Sequence, residues 1–204
     1  MSLFARLTEK SWETRSSPEI APETDRPPAA KVVLILYFGV AAVLFGLVTS
    51  AYLMRMGMPG MAHGPMVVWR PLPEPPLLWI NTGILMLASL AWERARIVGS
   101  HRRLVERGLA AGMFGLLFLA GQLLLWRQLM AAGHGLRGDP AAAFFYLITA
   151  LHGLHVLGGL WFWGRAMFAL RGEGNALLRF QLTATYWHFL LLVWLMMLAL
   201  FVAT

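Results

Sequence analysis

Cysteine is absent from this chain of 204 residues. That excludes a disulfide scaffold, a thiolate nucleophile, thiolate-bound zinc and any iron–sulfur cluster held by this chain alone. Charge is scarce too. Only 13% of residues are Asp, Glu, Lys or Arg, against roughly 25% in a soluble domain. The ten carboxylates all lie outside the middle of the long apolar runs. An acid at membrane depth is the usual mark of a proton relay or cation path, so most pump and antiporter readings are removed. No internal repeat is evident, which argues against an inverted-repeat transporter. The first thirty residues are polar and Pro-rich, without the apolar segment of a secretory signal. They are expected to form a mostly flexible cytoplasmic arm over 1–30.

Apolar residues are abundant instead, at 58%, with a mean hydropathy of +0.62. A chain this short has too much surface to cover without polar side chains if its solvent is water. Lipid resolves the difficulty. Five apolar stretches predict helices over about 31–54, 76–94, 107–129, 141–165 and 180–203, each near the ~20 residues that cross a ~30 Å hydrocarbon layer. The second and third are the shortest and rely on flanking Trp, Glu and Arg to snorkel. The expected fold is an all-α membrane protein, a bundle of five transmembrane helices forming one domain over 31–204.

The formal net charge is +7, and its placement orients the bundle. Arg6, Lys10, Arg15, Arg26 and Lys31 run up to the start of the first helix, and Arg94, Arg96, Arg102, Arg103 and Arg107 run from the end of the second to the start of the third. Arg165, Arg171 and Arg179 follow the fourth. Only Arg55, Arg70, Arg127 and Arg137 fall on the other side. Positive charge stays inside, so the N-terminus is expected in the cytoplasm and the C-terminus in the periplasm. Basic residues spread between apolar runs suit anionic lipid headgroups and no nucleic acid. Small residues recur at helix-contact spacing, Ala42, Gly46 and Ser50 on the first helix and Gly108 and Gly112 on the third, as in closely packed membrane helices.

Three histidines lie at membrane depth. His152 and His155 share one face of the fourth helix at i, i+3 spacing, and His188 is on the fifth. Imidazole is the commonest metal ligand, so one reading is a small b-type cytochrome using these three. The other is that each ring hydrogen-bonds across helices or to a lipid headgroup and serves packing. The second reading is preferred. Tyr186 and Trp187 read as interhelix or interfacial aromatics, and Arg102 and Arg103 as topology determinants touching lipid phosphate.

The stretch from Phe144 to Val156, with Leu147, Thr149, His152, Gly153 and His155, resembles the F-x-L-T-x-x-H-G-x-H-V segment of haem–copper oxidase subunit III. Tyr186-Trp187-His188-Phe189, followed by Val193-Trp194, is similar to the same family's Y-W-H-F…V-W signature. Weaker matches are Phe45, Tyr52 and Arg55, then Asn81-Thr82 with Ser89, then Gln122 with Trp126. The likeness runs from about residue 31 to the end and fits the family's short, five-helix form.

The resemblance implies a non-catalytic accessory subunit of a respiratory oxidase in a bacterial inner (plasma) membrane. Such a subunit holds no metal or other cofactor. It packs beside catalytic subunit I and the other subunits, where haem and copper reside, binds phospholipid and supports sustained turnover and proton uptake. A subunit III-like partner of a quinol oxidase or a nitric oxide reductase is the near alternative. The chain departs from the family where acids are expected, at Ala41, Leu125 and Leu191. Without them this chain has no carboxylates of its own for proton work, and His152 and His188 lose these acids as partners.

Overall fold

A computed structural model describes residues 28–57, 73, 75–97, 101–136, 140–170 and 176–203. Of the arm expected over 1–30, residues 1–27 lie outside them, and Ala29 and Ala30 belong to the first helix. The described residues form five helices, α1 (Ala29–Gly57), α2 (Pro76–Arg96), α3 (His101–Ala131), α4 (Pro140–Ala169) and α5 (Ala176–Ala203), and no strand.

Local chemistry sets several ends. Pro76 and Pro140 open α2 and α4, where a missing N–H costs nothing and the fixed φ suits the first turn. Gly133, at φ 89°, closes α3. His134 N–H reaches the Leu129 carbonyl at 3.0 Å and Gly133 N–H reaches that of Met130 at 3.1 Å, the paired bonds of a left-handed glycine stop. At its other end α3 begins six residues before the expected start. Arg102 and Arg103 therefore stand on a helix, and Arg102 bonds Glu106 one turn on at 2.9 Å.

Cross-helix contacts give the directions. Arg107 meets the Arg94 carbonyl, and Gln122 meets Asn81, so α2 and α3 are antiparallel. Trp163 reaches Gly108 while Trp126 reaches Thr149, which makes α3 and α4 antiparallel. Phe145 packs on Phe201 and His155 on Tyr186, so α4 and α5 are antiparallel as well. Tyr37–Tyr186 and Phe38–Phe189 run α1 parallel to α5. The result is an up-and-down bundle with α5 packed against α1, α2 and α4.

Four of the helices, α1, α3, α4 and α5, are long and apolar enough to cross a membrane. The fifth expected span, α2, is not among them. Asn81, Thr82 and Ser89 dilute its apolarity, and all three are buried. Its polar side chains face helices, where partners can satisfy them.

Small residues divide by role. A Cβ on Gly112 would strike the Trp163 indole, and one on Gly108 would come within 2.9 Å of Met167 Sδ, so this pair admits α4 as its spacing predicts. Ala42, Gly46 and Ser50 behave otherwise. Gly46 has no neighbour within 4 Å of a built Cβ, Ala42 and Ser50 are exposed, and the Ser50 hydroxyl turns back to the Gly46 carbonyl at 2.9 Å.

Candidate functional site

The three histidines occupy three different settings. His152 is wholly buried, ringed by Trp194, Phe118 and Phe45 at centroid distances of 5.2, 5.7 and 6.4 Å. Neither ring nitrogen has a hydrogen-bond partner. The expected cross-helix hydrogen bond is therefore not made at His152, whose contacts are with ring faces and edges. Trp194 links this pocket to α2, donating its indole N–H to the Thr82 hydroxyl at 2.9 Å.

His155 turns inward on its own helix. Its Nδ1–H donates to the Leu151 carbonyl at 2.7 Å, and its ring packs against Phe45 at 5.2 Å. The His155 carbonyl accepts the Tyr186 hydroxyl at 2.8 Å, and Tyr37 and Tyr186 meet hydroxyl to hydroxyl at 3.1 Å. Three helices are thereby joined through one chain of hydrogen bonds.

His188 does make the cross-helix contact. Its Nε2 lies 3.0 Å from Glu93 Oε2 and its Nδ1 2.5 Å from Ser89 Oγ. An ionised carboxylate can only accept, so Nε2 is the donor to Glu93. Arg96 holds the other Glu93 oxygen at 2.6 Å. The family acids missing from this chain are thus not the end of the matter for His188. A carboxylate reaches it from α2, where Ser89 and Glu93 lie four residues apart on one face. That spacing was readable in the sequence, but the partner helix was not.

Trp187 is fully buried, stacked on Trp92 at 6.4 Å. Arg102 and Arg103 are exposed. Among the described residues no group of three or more His, Asp or Glu comes together in a way that could hold a metal ion.

Tyr186 also lines a furrow of about 410 Å³ between α1, α4 and α5. Its walls include Val33, Leu34, Phe162 and Leu182, with Tyr37, Thr183, Arg165 and Arg179 among the lining residues. Both arginines are exposed. An apolar slot bearing two guanidinium groups matches an acyl chain with an anionic head. The sequence counted these arginines only as topology markers, because nothing along the chain shows that they share a furrow.

Bundle and furrow together define a class, a multi-pass membrane protein whose buried rings and hydroxyls tie helices to one another. Comparison with known proteins makes this more particular. No family model matches the chain. A protein of Mycobacterium tuberculosis (strain H37Rv) named "Probable cytochrome c oxidase subunit 3" is 35% identical over 53% of this chain and 53% of its own length. One of the same name from Rickettsia prowazekii is 30% identical over 81% of this chain and 65% of its own. The "Cytochrome bo(3) ubiquinol oxidase subunit 3" of Pseudomonas aeruginosa is 28% identical over 59% and 61%. The chain spans about half the length of the mycobacterial relative it matches.

Proposed function

We propose that this chain is an accessory subunit III of a bacterial respiratory haem–copper oxidase, in the inner membrane with its N-terminus cytoplasmic and all five helices spanning. Its work is to pack beside the catalytic subunit, retain phospholipid and sustain turnover, while haem and copper stay in the partner. The likeness to relatives named as subunit 3 carries this reading. The histidines agree with it. One is enclosed by aromatic rings, one bonds its own helix and one bonds α2, an arrangement suited to tying helices together. A quinol-oxidizing host is the second reading, favoured by the bo(3) relative.

Lipid enters through the α1–α4–α5 furrow. Its arginines lie on the side assigned to the cytoplasm, where anionic headgroups are richest. Tyr186, Arg165 and Arg179 are the contact residues there. Arg102 and Arg103 meet headgroups at the bundle surface, and His152, His155, His188 and Trp187 serve packing.

The test is retrieval of the tagged chain from its native membrane in mild detergent, followed by protein identification. A haem–copper catalytic subunit in stoichiometric yield supports the proposal. Its absence from every mild detergent in which the chain stays folded refutes it.

A further inference from the structure

The furrow between α1, α4 and α5 opens beside the point where the described residues begin. Ala30, Val33 and Leu34 of α1 line it together with Arg165 and Arg179, and their helix starts at Ala29. The preceding residues therefore join the bundle next to both guanidinium groups.

The rest of the bundle supplies these cations with no acid. Among the described residues the carboxylates are Glu93 and Glu106. Both are engaged elsewhere, Glu93 with Arg96 and His188 and Glu106 with Arg102. Glu173, between α4 and α5 in the sequence, brings one carboxylate for two guanidinium groups.

The arm carries more. Positions 16–25 hold Glu19, Glu23 and Asp25 and neither Lys nor Arg. Ile20 and Pro22 lie among these acids, so the stretch pairs apolar side chains with carboxylates. The furrow offers the complement, with Val33, Leu34, Phe162 and Leu182 beside the two arginines. Glu23 stands seven residues before Ala30, and seven extended residues span about 24 Å, enough to turn back over an opening that Ala30 itself lines. Exposed ion pairs are weak between free partners. A short tether raises the effective concentration to the millimolar range.

We infer that the acidic segment 16–25 of this chain docks on the α1–α4–α5 furrow, with carboxylates on Arg165 and Arg179 and Ile20 against the apolar wall. It takes the place of an anionic lipid, and the arm becomes a competitor that tunes lipid occupancy. That tuning rests on the lipid reading proposed above; the docking does not.

The test uses the full chain in phosphatidylcholine vesicles, with Ala21→Cys and Leu182→Cys as its only thiols. A short bismaleimide should join the two positions within one copy, read by mass spectrometry on mixed heavy- and light-labelled chains. Collisions of a tethered arm also give some adduct, so charge dependence decides. Arg165→Gln with Arg179→Gln should lower the yield about threefold, the scale of two exposed ion pairs, and raised salt should do the same. Both arginines are exposed, so the thermal midpoint should stay near that of the parent. Arg165→Glu with Arg179→Glu should lower the yield further, and adding Glu19→Lys, Glu23→Lys and Asp25→Lys should restore it. Phosphatidylglycerol mixed into the vesicles should lower the parent's yield. With Glu19→Gln, Glu23→Gln and Asp25→Asn, the chain should retain about threefold more phosphatidylglycerol on purification than the parent.

A yield indifferent to these charges, or adducts only between copies, would overturn the inference. Charge-dependent docking with equal phosphatidylglycerol retention by parent and neutralised arm would overturn the competition. Should docking depend on charge while neither chain retains phosphatidylglycerol, the docking stands and the lipid reading of the furrow falls. Retention by both with a charge-blind yield gives the reverse.

Discussion

At the scale of single residues, His152 and His188 show how one residue type does two kinds of work. His152 contributes ring packing, with Trp194, Phe118 and Phe45 around it and no hydrogen bond. Replacing it by Phe keeps the ring and removes two unpaired polar atoms, so His152→Phe should match or exceed the parent in thermal stability. His152→Ala leaves a void and should cost about 3 kcal/mol, by analogy with ring deletions in well-packed cores. Thermal unfolding in detergent separates the two, and a Phe variant as damaged as the Ala variant would mean that the ring nitrogens matter. His188 is held by polar contacts to Ser89 and Glu93. His188→Ala and Ser89→Ala should each cost about 1 kcal/mol, typical of a membrane interhelical hydrogen bond. The double variant should cost clearly less than the two combined. Sequence showed which histidines fall within the long apolar runs. It could not show their partners, because Glu93 and Ser89 precede His188 by more than ninety residues and pairing across helices depends on rotation about each axis.

At the scale of elements, α1 stands apart. Only Ala41, Phe45 and Tyr52 are buried on it. A single seam attaches it, through the Tyr37–Tyr186 hydroxyls, the stacked Phe38–Phe189 rings at 4.2 Å and Tyr52 against Phe144 and Phe201. With so few contacts it should open before the rest of the bundle. Hydrogen exchange in detergent is expected to show earlier deuterium uptake along 29–57 than along α5, and equal protection would contradict this. The two glycine patterns of the sequence part company here. Gly46→Leu on the open face of α1 should change stability by less than about 0.5 kcal/mol. Gly112→Leu drives a side chain into Trp163 and should cost about 2 kcal/mol or prevent assembly. Small-residue spacing marks a face that admits a close neighbour. Whether that neighbour is in the same chain is settled only by the packing of the whole bundle.

At the scale of the whole molecule, composition was enough to show the class, because too few charges remain to cover a water-facing surface of this size. The polar helix α2 was legible as apolar length but not as an interior element, since Asn81, Thr82 and Ser89 acquire their meaning only from Gln122, Trp194 and His188 across the interface. Orientation rests on the arginine and lysine asymmetry and can be read directly. The chain has no native thiol, so single cysteines report their side without background. A membrane-impermeant maleimide should label Arg127→Cys in intact cells and Arg103→Cys only after lysis; the opposite pattern would invert the topology. The central claim, that this chain supports another subunit's chemistry and carries no redox centre of its own, is tested most directly by the reduced-minus-oxidized absorption spectrum of the purified chain separated from its partners. The account predicts no haem bands in the isolated chain and full bands in the co-purified complex. A Soret band at one haem per chain, lost on His155→Ala or His188→Ala, would contradict it.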